Sequence, residues 1–242
     1  MKVSLERLTK KFGRRLVLSS LDLEIPEGSI VSIVGMNGAG KTTLLYALAG
    51  LVALDHGTIR YDGEEFRRDR LDLRRRFMLL PDFPYFALAT NLLEHLSLML
   101  RLYERDAAAE TEKVVGLLRE FDLLPLVDAP LETLSRGQVY KVALVAMIAV
   151  DPDLWLLDEP LASGMDPLGI RAFEGHVRRA AQAGRTILYT TQMLDVAERF
   201  SDYAAILHDG QIRAFAPCSE LKATGKEGGL TQLFAQLAGS TE

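Results

Sequence analysis

Ser29-Ile30-Val31-Ser32-Ile33-Val34, followed at once by Gly35-Met36-Asn37-Gly38-Ala39-Gly40-Lys41-Thr42, decides the fold. The first six residues are a short, largely β-branched run and read as a buried strand. The next eight fit G-x-x-x-x-G-K-[ST] at every fixed position, and Thr43 onward (TLLYALAGL) has helical character. Strand, glycine loop and helix form the context in which that pattern binds phosphate. Glycines let backbone N–H groups turn inward around anionic oxygens. The helix opening near Lys41 adds the positive end of its dipole. Lys41 would neutralise the β- and γ-phosphates, and Thr42 would offer an oxygen to Mg²⁺. Gly35 through Thr43 are therefore the candidate nucleotide contacts.

Working outward, the chain has 242 residues, with 28 Lys plus Arg against 33 Asp plus Glu, a formal net charge of −5. This ordinary globular balance excludes intrinsic disorder, collagen and coiled coil as descriptions of the whole. A mildly acidic chain gives no support for nucleic-acid binding. Cys218 is the single cysteine, so no intrachain disulfide forms, which fits a reducing compartment. His56, His95, His176 and His208 lie far apart and show no zinc-ligand spacing. The opening MKVSLERLTKKFGRR has no signal-peptide core. The longest apolar run, Val142 to Val150, falls far short of the roughly 20 residues that span a bilayer. The expectation is a soluble cytoplasmic chain that meets a membrane only through a partner.

Val3, Leu5 and Leu8, a turn at Phe12–Gly13 and then Leu16 to Ile25 read as a small antiparallel region. Gly57 to Glu65 reads as a hairpin with Asp62-Gly63 at its turn. The charged stretch Glu64 to Arg76 reads as a solvated helix face. Phe77 to Leu80 is another strand. Asn91 to Val150 is mostly helical, with Asn91 capping ahead of Glu94 and Val114, Leu117, Leu118 and Phe121 on one face. Leu154–Leu157 and Thr186–Thr190 are strands with a helix, Arg171 to Ala183, between them. Asp209-Gly210 marks a late hairpin, and the segment from Glu220 is polar. The class is α/β: a P-loop core with a mainly parallel sheet, an N-terminal antiparallel β region and an inserted helical subdomain at about 83–150. All 242 residues read as one domain.

Leu154-Trp155-Leu156-Leu157-Asp158-Glu159 is an apolar strand that ends in two acids. Buried strands do not tolerate unpaired acids. Asp158 would hold Mg²⁺ through water, and Glu159 would polarise the attacking water. Nothing resembles the base-reading N-K-x-D of small GTPases, so ATP is the expected nucleotide.

Leu134-Ser135-Arg136-Gly137-Gln138 precedes the acidic strand, and Ser163-Gly164-Met165-Asp166-Pro167 follows it. With the phosphate loop, in this order, these resemble the ATP-binding subunit of ABC transporters: a signature usually written LSGGQ, and a D-loop. The resemblance implies a head-to-tail dimer, with each ATP held between the phosphate loop of one subunit and the signature of the other. Ser135, Gly137 and Gln138 would then meet the partner's nucleotide, Asp166 would tie the two sites together, and Phe12 would stack on adenine. It also implies a transmembrane permease subunit as partner, a second ATP-binding subunit, and a place on the inner face of the cell membrane.

Three residues depart from the family pattern. Asp82, in Leu80-Pro81-Asp82, stands where a Mg²⁺-reaching Gln is usual. Gln192 stands where a switch histidine is usual and would, with Glu159 and Lys41, make up the catalytic set. Arg136 replaces a signature glycine and is expected to point to solvent. Asp82 can still hold Mg²⁺ through water, and Gln192 can position water, so slowed hydrolysis is expected. Phe83, Tyr85 and Phe86 follow Asp82 and are candidates for a groove that receives a membrane partner. A soluble ABC ATPase of non-transport function, or a regulatory subunit with little hydrolysis, are the alternatives.

Overall fold

The computed structural model describes residues 1–84, 91–223 and 229. Ten strands are found among them: β1 (Val3–Phe12), β2 (Arg15–Ile25), β3 (Ile30–Val34), β4 (His56–Tyr61), β5 (Glu64–Glu65), β6 (Phe77–Leu80), β7 (Leu154–Leu157), β8 (Thr186–Thr191), β9 (Tyr203–His208) and β10 (Gln211–Pro217). The helices are α1 (Lys41–Leu48), α2 (Leu71–Arg74), α3 (Leu92–Leu102), α4 (Thr111–Glu120), α5 (Arg136–Val150), α6 (Pro167–Gln182), α7 (Leu194–Phe200) and α8 (Cys218–Ala223).

A four-stranded antiparallel sheet has the order β2-β1-β4-β5. At its β4–β5 turn Asp62 and Gly63 adopt φ of 51° and 86°. Two successive positive φ values are what a tight right-twisting hairpin requires. The six-stranded sheet runs β10-β9-β3-β8-β7-β6 and is parallel except for β10. Its central strands are buried on both faces, as the apolar runs foretell. On β7, Leu154 and Leu156 join the core shared with α1 and the antiparallel sheet. Trp155 and Leu157 point the opposite way, into the core shared with α3 to α6. One strand thus supports both layers through its two-residue period.

Helix boundaries follow their caps. Asn91 accepts from Glu94 N at 2.8 Å while Glu94 Oε2 accepts from Asn91 N at 3.2 Å, a reciprocal capping box. The α4 face is buried at Val114, Leu117 and Leu118, and Phe121 beyond it is buried too. Every residue of α5 from Tyr140 to Val150 is buried, and from Val142 onward all are apolar, as a helix enclosed on every side requires. In the chain, α3, α4 and α5 lie between β6 and β7, which are adjacent parallel partners.

Two local expectations need correction. Helix α6 starts at Pro167, earlier than Arg171, because Asp166 caps it and Pro167 fits its first position. The charged stretch is not a helix face. Only Leu71–Arg74 is helical, because Arg68 donates to the Leu51 carbonyl at 2.9 Å and Arg76 bridges Asp62 and Asp153. Tyr85 and Phe86 lie outside the described residues.

Two glycines make opposite predictions. Gly57 has φ 98°, and a Cβ there would lie 2.5 Å from the Arg7 carbonyl. Gly57→Ala should destabilise the fold by more than about 1 kcal/mol. Gly116 sits exposed inside α4 with open space around it. Gly116→Ala should stabilise by about 0.5–1 kcal/mol. Urea unfolding of both variants checks the pair.

Candidate active site

The loop after β3 is tight because backbone from both sheets presses on it. A Cβ at Gly35 would lie 2.5 Å from the Leu207 carbonyl of β9, and one at Gly40 would lie 2.9 Å from the Val17 carbonyl of β2. Gly38 and Gly40 also take φ of 82° and 108°, values that side chains other than glycine's rarely adopt. Lys41 begins α1 and turns back across this loop. Its Nζ donates to the Gly35 carbonyl at 2.8 Å and lies 3.2 Å from Glu159 Oε1. A buried ammonium must be compensated, and here loop carbonyls and a carboxylate do so.

The acidic strand end supplies the opposite wall. Asp158 is buried, and its Oδ1 accepts from Thr190 Oγ1 at 2.7 Å. Thr190 Oγ1 in turn accepts from the Glu159 N–H at 2.9 Å. Glu159 adopts φ 47°, a strained value for a residue with a side chain. Gln192 Nε2 lies 3.5 Å from Glu159 Oε1.

These groups face a cleft of about 570 Å³. Of the residues expected from sequence, Met36, Asn37, Gly38, Gly40 and Lys41 to Thr43 line the loop side. Asp82, Asp158, Glu159 and Gln192 line the other, and Phe12 stands at the rim. Phe12 is half exposed with Lys10 Nζ 5.0 Å above its ring, so it is no core residue. Gly35 and Ala39 belong to the loop without lining the cleft.

The signature and D-loop residues sit elsewhere. Ser135 caps α5: its Oγ accepts from Gln138 N at 3.3 Å, and Gln138 Oε1 accepts from Ser135 N at 2.8 Å. The Gln138 Oε1 is thus engaged in the cap. Gly137 packs on the D-loop, where a Cβ would lie 2.5 Å from the Gly164 carbonyl. Asp166 accepts from Lys141 and from Gly169 N at 2.8 Å. The Lys141 hydrogen bond comes first in holding its carboxyl below the usual range. Arg136 does not point to solvent: its Nη2 lies 2.7 Å from Asp82 Oδ1 and its guanidinium carbon sits 4.1 Å from the Phe83 ring centre.

Sequence reasoning missed Arg15 and Val17, which line the cleft beyond Phe12; a basic residue just after the rim aromatic was the available signal. It also missed Thr190, one of three threonines on β8, and Lys141, whose signal was a cation leading into the apolar run from Val142.

The arrangement fits a nucleoside triphosphate. A glycine cradle that a Cβ would fill, an ammonium at its centre and an aromatic at the rim are the kinds of group that phosphates and a base require. Thr42, Asp158 and Asp82 line the same cleft and are oxygen donors of the kind Mg²⁺ takes. Among the described residues no group of three or more His, Cys, Asp or Glu could hold a metal, so phosphate and water oxygens would complete its shell.

Comparison with known proteins agrees. The family model described as ABC transporter matches residues 18–162. The ABC-type transporter ATP-binding protein EcsA of Bacillus subtilis (strain 168) is 31% identical over 237 residues, 97% of this chain and 96% of that protein. The daunorubicin/doxorubicin resistance ATP-binding protein DrrA of Streptomyces peucetius is 34% identical over 217 residues, 90% of this chain and 66% of that protein. A solved ATP-binding subunit of an ABC transporter superposes with TM-score 0.90 at 29% identity, covering 98% of this chain and 100% of the other.

Thr190→Val keeps the shape of β8 but removes the hydroxyl between Asp158 and Glu159. It should lower stability by about 1–3 kcal/mol, because Asp158 stays buried without its donor. Chemical unfolding of the variant measures this.

Proposed function

The chain belongs to the ABC transporter family as one of its ATP-binding ATPase subunits, and from that premise we propose that it hydrolyses MgATP in the Lys41 cleft to drive a separate transmembrane permease. Subunits of this family bind nucleotide, dimerise and work with membrane components. No helix among the described residues is long and apolar enough to cross a membrane. The proposed place is the cytoplasmic side, on the inner face of the cell membrane. The proposed domain is the whole chain, with the helical subdomain at about 83–150 set into it. Relatives named for drug resistance and for Nod factor export support an exporter.

The observation that carries this reading is Lys41 Nζ held between the Gly35 carbonyl and Glu159, with Asp158 beside them. An entering triphosphate displaces Glu159 from the ammonium, since phosphate oxygens carry more charge. Glu159 is then free to accept the proton of a water attacking the γ-phosphorus. The β–γ bridging oxygen leaves with ADP, and inorganic phosphate is released. Thr42, Asp158 and Asp82 would hold Mg²⁺, which when bound would supply positive charge against the phosphates. Gln192 orients the water but brings no positive charge, so the proposed hydrolysis is slow. Phe12 stacks on the adenine.

Ser135, Gly137 and Asp166 lie outside this cleft in their own chain. In the proposed head-to-tail dimer, homo- or heteromeric, Ser135, Gly137 and the start of α5 close over the partner's γ-phosphate, with the dipole of α5 aimed at it. A second cavity of about 370 Å³ lies beside Pro81, lined by Leu51, Leu79, Pro84, Met99 and Tyr103 among others. It is the proposed seat of the permease. Phe83 does not line it and stacks under Arg136 instead.

Mg²⁺-dependent ATP turnover tests the assignment. Glu159→Gln should lower it by about 10²–10⁴-fold, the usual contribution of a general base. Gln192→His should raise it by about tenfold, equivalent to roughly 1.4 kcal/mol of transition-state stabilisation. ATP binding with no turnover in any variant would support the regulatory reading instead.

A further inference from the structure

Two departures from the family pattern meet in space. Asp82 and Arg136 are 54 positions apart, yet Arg136 Nη2 lies 2.7 Å from Asp82 Oδ1. The same guanidinium lies over the ring of Phe83, its carbon 4.1 Å from the centroid. One side chain of α5 thereby grips two consecutive residues of the loop after β6. Both partners are part-exposed, at 46% and 34%, so an isolated ion pair here would be weak. The stacked ring fixes the guanidinium and lowers the entropy cost of forming the pair.

Each charge is unfavourable by itself. Arg136 occupies the first position of α5, and the first turn of that helix contains no acid. A cation there opposes the helix dipole. Asp82 lines the cleft that also contains Asp158 and Glu159. A third carboxylate beside a triphosphate repels it. Together the two charges cancel: the acid offsets the cation at the helix start, and the cation offsets the acid at the cleft wall. Asp82 Oδ2 stays free of Arg136, so the carboxylate can serve the cleft while the pair holds.

We propose that Asp82 and Arg136 act as one unit, a clasp between the loop after β6 and the signature helix, in which Arg136 is a positioning residue that neutralises Asp82 and sets how tightly the cleft holds a triphosphate. The cation at the signature therefore serves its own subunit's cleft and not the partner's phosphate. This rests on the reading that the triphosphate occupies the Lys41 cleft.

The test is a double-mutant cycle on the full chain: Asp82→Gln, Arg136→Gly and both together, with Arg136→Lys and Lys41→Ala alongside. ATP affinity is measured by titration calorimetry in EDTA and in Mg²⁺, at low and high salt, and denaturant midpoints are measured with no nucleotide added. Arg136→Gly should weaken ATP binding in EDTA by about fivefold, from one uncompensated nearby charge in a solvated setting. The loss should shrink in Mg²⁺ and at high salt. It should largely vanish when Asp82 is already Gln, and Arg136→Lys should retain most of the affinity. The denaturant midpoints should be non-additive for the two positions. Equal losses from Arg136→Gly with and without Asp82, or losses indifferent to salt, would overturn the clasp. Unchanged ATP binding in Lys41→Ala would instead refute the placement of the triphosphate, while the midpoints would still decide whether the clasp exists.

Discussion

Lys41 keeps its ammonium almost wholly out of water, 7% exposed, against the carbonyl of Gly35 and the carboxylate of Glu159. That position constrains much of the molecule. The loop can wrap the ammonium only if Gly35 and Gly40 lack side chains, since Leu207 of β9 and Val17 of β2 crowd them. Those neighbours belong to different sheets, so the antiparallel and parallel layers meet at the loop. The α1 helix that continues from Lys41 is buried at Leu44, Leu45 and Leu48 in the core shared with both sheets. The charge at the centre of the site and the packing of the α1 side of the core are fixed by the same few residues.

The acids around that ammonium are handled one by one. Asp158 is buried and hydrogen-bonded to Thr190. Glu159 reaches Lys41. Asp82, further out, reaches Arg136. Each carboxylate has a different partner, and each partner can release it to a different degree. Asp158 is the most buried of the three and is hydrogen-bonded, which suits the metal-binding role proposed for it. Glu159 pairs with the ammonium at 3.2 Å, a contact that an entering phosphate would compete for in the general-base role proposed for it. This gradation supports hydrolysis, although Gln192 supplies no positive charge.

What could be read from sequence was local. The run from Ser29 to Thr42, the Asp62-Gly63 turn and the Asn91–Glu94 box carry their own geometry within a few residues. The acidic end of β7 was legible because apolar residues lead directly into it. What could not be read was set by distant partners. The arginines after Glu65 suggested a helix face until the carbonyl of Leu51 and the carboxylates of Asp62 and Asp153 claimed them. Arg136 suggested a solvent-facing cation because its partner lies on another element. Thr190 looked like one more strand residue, since its two hydrogen bonds cross to β7's end. The start of α6 was a local signal, Asp166-Pro167, that apolar periodicity alone passes over.

In the proposed dimer the Lys41 cleft is half of a composite site, completed by the signature of a second ATP-binding subunit, which in the homomeric form is a second copy of this chain. Mixing two inactive variants tests it most directly: Lys41→Ala, which lacks the loop cation, and Ser135→Glu, whose exposed carboxylate repels the partner's phosphate. In a mixed head-to-tail dimer, the intact loop of one chain faces the intact signature of the other, so ATP turnover returns on mixing. If each site were built within one chain, every site in the mixture would stay defective and turnover would remain at the level of the separate variants. That result would contradict the account.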